Sequence, residues 1–327
     1  MRFAADTNTI EERLADGLSR VEQLFDAQLR SPFPAVEELC CHAQRYRGKM
    51  LRPTLLLLTG MGSTQGALIV TESHVVAAAT VEMIHMATLV HDDVLDEASV
   101  RRRCQTVNSL RGNETAVILG DYLISNAFHL VSRVGDPALN LRLGAVTNAL
   151  CEGELVQLSR RHDVSLDRAT YIEIVRRKTA VLVGACAEIG ARLSGASEDV
   201  VAACYRVGEH LGIAFQIQDD LLDLTGDEVT VGKSIGRDLE KGKLTLPTIL
   251  FLEREGARER AAILRAIETR DGETLKSLLL ASGAVRGARE YACSLVASAR
   301  RELAALPQLQ VRAVLEGLAD KVVDRAN

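Results

Sequence analysis

Residues 81–96 read VEMIHMATLVHDDVLD and end in the acidic motif DDxxD. The apolar residues before the motif recur three and four positions apart, which predicts a helix that is otherwise mostly buried. Residues i and i+4 share a helix face, so Asp92 and Asp96 project together, whereas Asp93 points about 100° away. Two carboxylates on one face repel each other unless a cation or solvent relieves them. Magnesium suits this position because it prefers oxygen and binds one or two carboxylates together with substrate phosphate.

A second DDxxD motif, Asp219 to Asp223, follows the apolar run IAFQI. A single acidic motif is explained well enough by a solvated helix face. Two such motifs that each follow a buried run place carboxylates where they need partners. The pair therefore predicts a site for magnesium and diphosphate.

The 3.6-residue period extends over most of the chain and predicts an all-α fold. Asp136 and Pro137 are typical of an N-cap followed by the first helical residue. We expect one domain, residues 1–327, of roughly a dozen helices, because no linker, low-complexity tract or repeat divides the chain. Six long helices are expected at residues 10–29, 70–90, 114–134, 137–158, 169–193 and 199–224.

Composition excludes several classes of protein. The net charge of -5, with no basic stripe among aromatics, argues against nucleic acid as a partner. Residues 53–71 lack charge, but their proline, glycines and polar residues predict a buried helix end and a turn, so we expect no transmembrane segment. The seven cysteines form no CxxC pair, and the N-terminus has no signal-like pattern, so we expect a reduced, cytoplasmic protein.

Diphosphate carries more negative charge than aspartate-bound magnesium balances, so lysines and arginines must complete the site. Arg101 lies five residues beyond Asp96 and can fold back over a phosphate held on the aspartate face. Lys233 follows the second motif after a turn. The sequence offers cations in compact groups: Lys49 and Arg52 in GKMLRP, Arg101 to Arg103, Lys178, Lys233, and Lys243 in GKLTLP.

Five segments together resemble the trans-isoprenyl diphosphate synthases, the polyprenyl synthetase family. In chain order from about residue 48 to residue 247 they are GKMLRP, HDDVLDEASVRRRCQTVN, the KT pair at 178 and 179, FQIQDDLLDLTGD, and VGKSIGRDLEKGKLTLP. The resemblance implies the all-α isoprenoid synthase fold, with the two motif helices facing each other across a central cavity. It also implies a homodimer and an enzyme that condenses an allylic diphosphate, geranyl or farnesyl diphosphate, with isopentenyl diphosphate.

The resemblance also implies a role for each site residue. Two or three magnesium ions would be held by Asp92, Asp96 and Asp219, with Asp220 and Asp223 in support. Isopentenyl diphosphate would bind Lys49, Arg52, His85 and Arg102. The allylic diphosphate would bind Arg101, Lys178, Lys233 and Lys243. The groups near the reacting carbons would be Lys178, Thr179 and Gln216. The chain departs from the family pattern at Arg103, where glycine is common, and at Gln105, where proline is common, which puts the local loop conformation in doubt.

Product length depends on the helix below the first motif. A helix rises about 1.5 Å per residue, so Ala87 and Thr88 lie roughly 6 to 8 Å below Asp92. These residues and Ile84 further down are small to medium, and leave a tunnel for a growing chain. Because the resemblance implies that bulky aromatics at this level stop elongation early, we expect a C30 to C50 product, as in quinone side-chain synthesis.

Several other functions compete with this interpretation. A terpene cyclase would replace the second DDxxD motif and line its cavity with aromatics, which make up only 3% of this chain. A di-iron bundle needs two Glu-x-x-His motifs, and only the one from Glu82 to His85 is present. A short-chain farnesyl or geranylgeranyl diphosphate synthase, or a non-catalytic subunit of a heteromeric synthase, remains open.

Overall fold

The structure, a computed structural model, describes residues 3–65, 68–225 and 237–324. Nearly all of these residues are helical. The elements are α1 (Phe3–Gln28), α2 (Pro34–Gln44), α3 (Leu51–Gly62), α4 (Glu72–Leu95), β1 (Val100–Arg101), β2 (Cys104–Gln105), α5 (Val107–Arg111), α6 (Asn113–Ser132), α7 (Pro137–Ser159), α8 (Arg168–Val175), a π-helical turn (Arg176–Ala180), α9 (Val181–Leu193), α10 (Glu198–Thr225), α11 (Arg237–Glu240), α12 (Leu246–Arg254), α13 (Ala257–Glu268), α14 (Gly272–Ala281), α15 (Ala284–Leu303) and α16 (Leu309–Val323).

The all-α prediction is confirmed. Five of the six expected long helices correspond to α1, α4, α6, α7 and α10. The sixth, residues 169–193, is wrong as one continuous α-helix because the π turn separates α8 from α9. The hairpin of β1 and β2 was also missed, since strands of two residues are too short to show alternation.

Side-chain caps fix where two of the long helices begin. At α4, the Thr71 Oγ1 atom accepts from the His74 backbone N–H at 3.4 Å, and the His74 Nδ1 atom accepts from the Thr71 N–H at 3.3 Å. This reciprocal pair is a capping box. At α7, the Asp136 carboxylate accepts from the Ala138 N–H at 2.9 Å, which confirms Asp136 as the cap.

Contacts within the chain group into two compact units. Unit 1 comprises Met1–Thr147, Leu182–Gly208 and Glu302–Glu316, and unit 2 comprises Asn148–Val181, Glu209–Arg301 and Gly317–Asn327. The expected single domain of residues 1–327 stays a prediction.

The helix α4 is the core of unit 1. It packs mainly on α6, where a Cβ atom on Gly120 would lie 2.1 Å from the His91 Nε2 atom, so a larger residue there would displace the imidazole. Within the described residues, α4 is also the helix with the length and hydropathy of a membrane span. Of its most apolar window, 78% is buried inside the protein. The uncharged stretch at residues 53–71 instead contains the end of α3 at Gly62 and the turn after it, as expected.

Candidate active site

The first DDxxD motif forms the last turn of α4 in unit 1. The helix ends at Leu95, and Asp96 is its C-cap, with a backbone N–H that donates to the Asp92 carbonyl at 2.7 Å. Asp92 and Asp96 are partly exposed, whereas Asp93 is 1% exposed. The division of the motif into an accessible pair and a third, inward aspartate is therefore as expected.

Asp93 forms an ion pair that the sequence analysis missed. The Arg101 Nε and Nη2 atoms each lie 2.8 Å from the Asp93 Oδ1 atom. Burial raises the pKa of Asp93 to about 6, although the charge of Arg101 lowers it. The Asp93 Oδ2 atom is buried without a hydrogen-bond partner. Arg101 thus folds back toward the motif, as expected, and its partner there is Asp93.

The hairpin after α4 contains both positions at which the chain departs from the family pattern, Arg103 and Gln105. Arg102 and Arg103 form its two-residue turn, with φ of 49° and 65°, the signs that a type I′ turn requires. Arg103 therefore occupies the left-handed conformation that favours glycine. The Thr106 N–H donates to the Ser99 carbonyl at 3.1 Å, and hydrogen-bonded pairs alternate along an antiparallel ladder. Gln105 falls at the intervening position, where proline would cost no ladder bond.

A cation cluster surrounds His85 on α4. Burial lowers the pKa of His85 well below its usual value, and the charges of Arg52, Arg102 and Arg101 lower it further. His85 is therefore neutral near pH 7. The Arg52 Nε atom is buried without a hydrogen-bond partner. Glu82, one turn before His85 and 4% exposed, supplies a carboxylate whose pKa is raised by burial and lowered by Arg52 and Arg102. The cluster is rich in positive charge and suits an anion.

The residues expected to set product length lie on α4 below the first motif. Thr88 is partly exposed, like Asp92 one turn later, and its hydroxyl donates to the His85 carbonyl at 2.7 Å. Ala87 and Ile84 are 0% and 1% exposed. None of the three is aromatic. Their role in product length stays a prediction.

The second DDxxD motif lies near the end of α10 in unit 2. Asp219 is partly exposed, whereas Asp223 is 7% exposed. The Asp223 Oδ2 atom accepts from the Asp238 backbone N–H at 3.1 Å, so this carboxylate also holds the start of α11. Asp219 is the more accessible of the two carboxylates that share this helix face.

Asp220 is held by two uncharged donors. The Tyr171 hydroxyl donates to its Oδ2 atom at 2.6 Å, and the Gln216 Nε2 atom donates to its Oδ1 atom at 2.9 Å. The Thr179 hydroxyl donates in turn to the Gln216 Oε1 atom at 3.0 Å. Burial raises the pKa of Asp220 to about 6, although both hydrogen bonds lower it. Thr179 and Gln216, both predicted to lie near the reacting carbons, are thus in direct contact with each other.

Lys178 and Thr179 lie in the π turn, a feature that often marks functional sites. The Lys178 Nζ atom donates to the Gln157 Oε1 atom at 2.8 Å and pairs with the Glu154 carboxylate. A Cβ atom on Gly153 of α7 would lie 2.6 Å from the Lys178 backbone nitrogen. Glycine at this position therefore allows α7 to approach the turn that carries the lysine.

One cavity of unit 2 gathers most of the residues predicted there. Its lining includes Tyr171, Lys178, Thr179, Gln216, Asp220 and Lys243. Lys243 is held in place by its backbone N–H, which donates to the Asp238 carbonyl at 2.8 Å. Of the other predicted lysines, Lys49 is exposed before α3, and Lys233 lies outside the described residues.

The carboxylates of the two motifs suit magnesium better than they suit a metal ion that needs a closed set of protein ligands. Within the described ranges, no three His, Cys, Asp or Glu side chains converge on one point. Each motif instead has partly exposed aspartates: Asp92 and Asp96 in unit 1, and Asp219 in unit 2. Magnesium retains waters and uses one or two carboxylates plus substrate phosphate, so this donor set suits it.

Five residues were missed by sequence reasoning: Asp93, Glu82, Tyr171, Asp238 and Gly153. Glu82 could have been found, because an acidic residue inside a buried run three positions before His85 needs a cation nearby. Tyr171 and Gly153 gave no such signal. Each lies against a residue that is distant in the sequence, and a single sequence does not show which distant residues are in contact.

Comparison with known proteins agrees with this geometry. A sequence profile described as polyprenyl synthetase matches residues 34–280. The nonaprenyl diphosphate synthase of Mycobacterium tuberculosis is 37% identical over 316 residues, which is 94% of this chain and 92% of that protein. The geranylgeranyl pyrophosphate synthase of Geoglobus acetivorans is 34% identical and covers 97% of this chain and 99% of its own.

A solved structure shows the same fold. The polyprenyl synthase of Caulobacter crescentus CB15, complexed with calcium and isoprenyl diphosphate, has a TM-score of 0.88 and 33% identity, with 97% of this chain and 98% of that chain covered. The architecture is therefore the isoprenoid synthase fold. The chain belongs to the polyprenyl synthetase family. It is a prenyltransferase, a trans-prenyl diphosphate synthase.

Proposed function

We propose that this chain is a magnesium-dependent synthase that adds successive isopentenyl diphosphates to geranyl or farnesyl diphosphate. In this proposal Asp92 and Asp96 of unit 1, and Asp219 of unit 2, hold two to three magnesium ions. The partial exposure of these three aspartates supports the assignment. So does the Caulobacter crescentus relative, whose structure contains calcium, another oxygen-preferring cation, with isoprenyl diphosphate.

Each of the two substrates would be bound by its own set of cations. Arg52, Arg102 and neutral His85 would hold isopentenyl diphosphate, together with Lys49. The positive charges of Arg52 and Arg102 repel each other, which favours the binding of an anion beside them. Arg101, Lys178, Lys233 and Lys243 would hold the allylic diphosphate.

The reaction needs no protein nucleophile. The allylic C–O bond breaks with its electron pair leaving on diphosphate, and the double bond of isopentenyl diphosphate attacks the cation. A proton is then lost, and the released diphosphate is its acceptor. Bound magnesium would supply charge stabilisation of the departing diphosphate. Lys178 and Lys243 would add to that stabilisation, while the oxygens of Thr179 and Gln216 lie near the reacting carbons.

We further propose a C30 to C50 all-trans product for quinone side chains. The observation that carries this proposal is the absence of an aromatic ring at Ala87, Thr88 and Ile84 on α4. The relatives make a direct test necessary: one is named for a nonaprenyl product and another, at similar identity, for a geranylgeranyl product. A short-chain product is therefore the alternative.

Product analysis of Thr88→Phe tests the chain-length proposal. Thr88 is partly exposed, so a phenyl ring is accommodated more easily there than in Ala87→Phe, where the side chain is 0% exposed. With radiolabelled isopentenyl diphosphate, the wild type should yield products beyond C20, and both variants should yield shorter ones. The matched control is Thr269→Phe at an exposed position of unit 2, which should leave product length unchanged. A wild type that stops at C15 or C20 would show the short-chain alternative to be right.

We infer that the enzyme is a homodimer in the cytoplasm. Ile118 on α6 and Leu141 on α7 are 66% and 78% exposed, which suits a protein interface on unit 1. All seven cysteines are unpaired, as in a reducing compartment. The alternative, a non-catalytic subunit, conflicts with both intact aspartate motifs.

A further inference from the structure

A chain of three hydrogen bonds leads from a buried tyrosine into the cavity of unit 2. It runs from the Tyr171 hydroxyl to Asp220 at 2.6 Å, from the Gln216 amide to Asp220 at 2.9 Å, and from the Thr179 hydroxyl to Gln216 at 3.0 Å. Tyr171 is 4% exposed and Asp220 is 7% exposed. These two residues are therefore largely shielded from water, whereas Gln216 and Thr179, at the other end of the series of hydrogen bonds, are partly exposed.

The direction of each bond fixes the orientation of Gln216. An ionised carboxylate only accepts hydrogen bonds, so Asp220 must face the amide nitrogen of Gln216. The amide oxygen then faces Thr179, whose hydroxyl donates to it. The two ends of the amide are nearly equivalent in shape, so its orientation depends on these hydrogen-bond partners.

Tyr171 holds the Asp220 carboxylate in place, and that carboxylate in turn sets the orientation of the Gln216 amide. Its hydroxyl occupies the Oδ2 atom of Asp220 and leaves the Oδ1 atom for Gln216. Asp220 is buried, whereas its neighbour Asp219 is partly exposed. The two adjacent aspartates of the second motif thus face different surroundings, and both oxygens of Asp220 already serve protein donors.

We propose that Tyr171 is a positioning residue for the prenyl transfer, and that Asp220 serves to orient Gln216 and Thr179 toward the reacting carbons. Asp219 is then the carboxylate of this motif that faces magnesium. This inference rests on the proposed roles of Gln216 and Thr179 in the reaction.

Steady-state kinetics of Tyr171→Phe test this inference, with Tyr291→Phe as the matched control. Tyr291 is half-buried on α15 of the same unit and outside the chain of hydrogen bonds. Tyr171→Phe should lower kcat about tenfold, as expected when one orienting bond is lost in the transition state. The KM for isopentenyl diphosphate and the magnesium concentration for half-maximal rate should stay within about twofold of wild type. Tyr291→Phe should retain the wild-type kcat.

A double-mutant cycle with Gln216→Ala separates positioning from general stability. If Tyr171 acts through Gln216, then Tyr171→Phe should change kcat by less than about twofold in the Gln216→Ala background. An undiminished tenfold effect in that background would overturn the inference. So would a large rise in the magnesium requirement of Tyr171→Phe, because Asp220 would then be a metal ligand.

A second pair of variants keeps the inference testable if Tyr171→Phe does not fold. Asp220→Asn should lower kcat without changing the magnesium requirement, whereas Asp219→Asn should raise that requirement. Equal magnesium dependence in the two variants would contradict the inference. A wild type without condensation activity would refute the proposed function and this inference with it, whereas an active wild type with unchanged Tyr171→Phe would refute the inference alone.

Discussion

Arg103 holds an unfavourable backbone conformation at the tip of the hairpin that carries the site arginines. Its φ of 65° lies in the left-handed region, which costs a residue with a Cβ atom roughly 1–2 kcal/mol. The family pattern has glycine at this position. The arginine is tolerated because two contacts of the residues just before it hold the turn: the Asp93–Arg101 ion pair and the bond from Arg102 to the Tyr46 carbonyl.

Arg103→Gly should stabilise the protein. Relief of the left-handed strain should raise the free energy of unfolding by up to about 1 kcal/mol, with no loss of activity. The matched control is Arg133→Gly, an exposed arginine of the same unit with φ of -69°, where glycine should destabilise by about 0.5–1 kcal/mol. Denaturant unfolding of both variants measures the difference. Equal destabilisation by the two changes would show that Arg103 is not strained.

Arg52 should bind phosphate through its planar guanidinium as well as through its charge. Arg52→Lys keeps the charge but loses the fork of donors, so the KM for isopentenyl diphosphate should rise at least about fivefold. The kcat at saturating substrate should change less. Arg45→Lys, at an exposed position on the end of α2, is the control and should leave the KM unchanged. A fall in kcat alone, at unchanged KM, would place Arg52 outside the isopentenyl diphosphate site.

At the scale of elements, the long helices were predictable because their apolar period persists over many turns. The π turn at Arg176–Ala180 was not, because one extra residue within a single turn barely shifts that period. The hairpin could not be predicted either, because its strands have two residues each and are too short to show an alternating pattern. The shared helix face of Asp92 and Asp96 followed from i, i+4 spacing alone. The Tyr171–Asp220 contact joins residues far apart in sequence and left no local pattern.

Gly153→Ala should disturb the π turn. The added methyl group would lie 2.6 Å from the Lys178 backbone nitrogen, so α7 and the turn must separate. We expect kcat to fall at least about tenfold and the free energy of unfolding to fall by about 1–3 kcal/mol. Gly144→Ala on the same helix meets nothing within 4 Å and is the control. It should retain activity and gain up to about 1 kcal/mol from helix propensity. Full activity in Gly153→Ala would show that the close approach is not needed.

At the scale of the whole molecule, the proposed homodimer depends on two exposed apolar side chains, Ile118 on α6 and Leu141 on α7. Ile118→Glu should shift the molecular mass measured by light scattering from that of a dimer toward that of the 35.5 kDa chain, because a charge would be buried in the interface. Leu309→Glu, 56% exposed in the same unit, is the control and should remain dimeric. A wild type that already elutes as a monomer would contradict the dimer proposal.

The central claim is that this chain, by itself, elongates an allylic diphosphate into a long isoprenoid. Its most direct test is the product distribution of the purified wild type with farnesyl diphosphate, radiolabelled isopentenyl diphosphate and magnesium, with and without a chelator. We expect products of C30 to C50 that disappear when magnesium is removed. Products no longer than C20, or no condensation without a second kind of subunit, would contradict it.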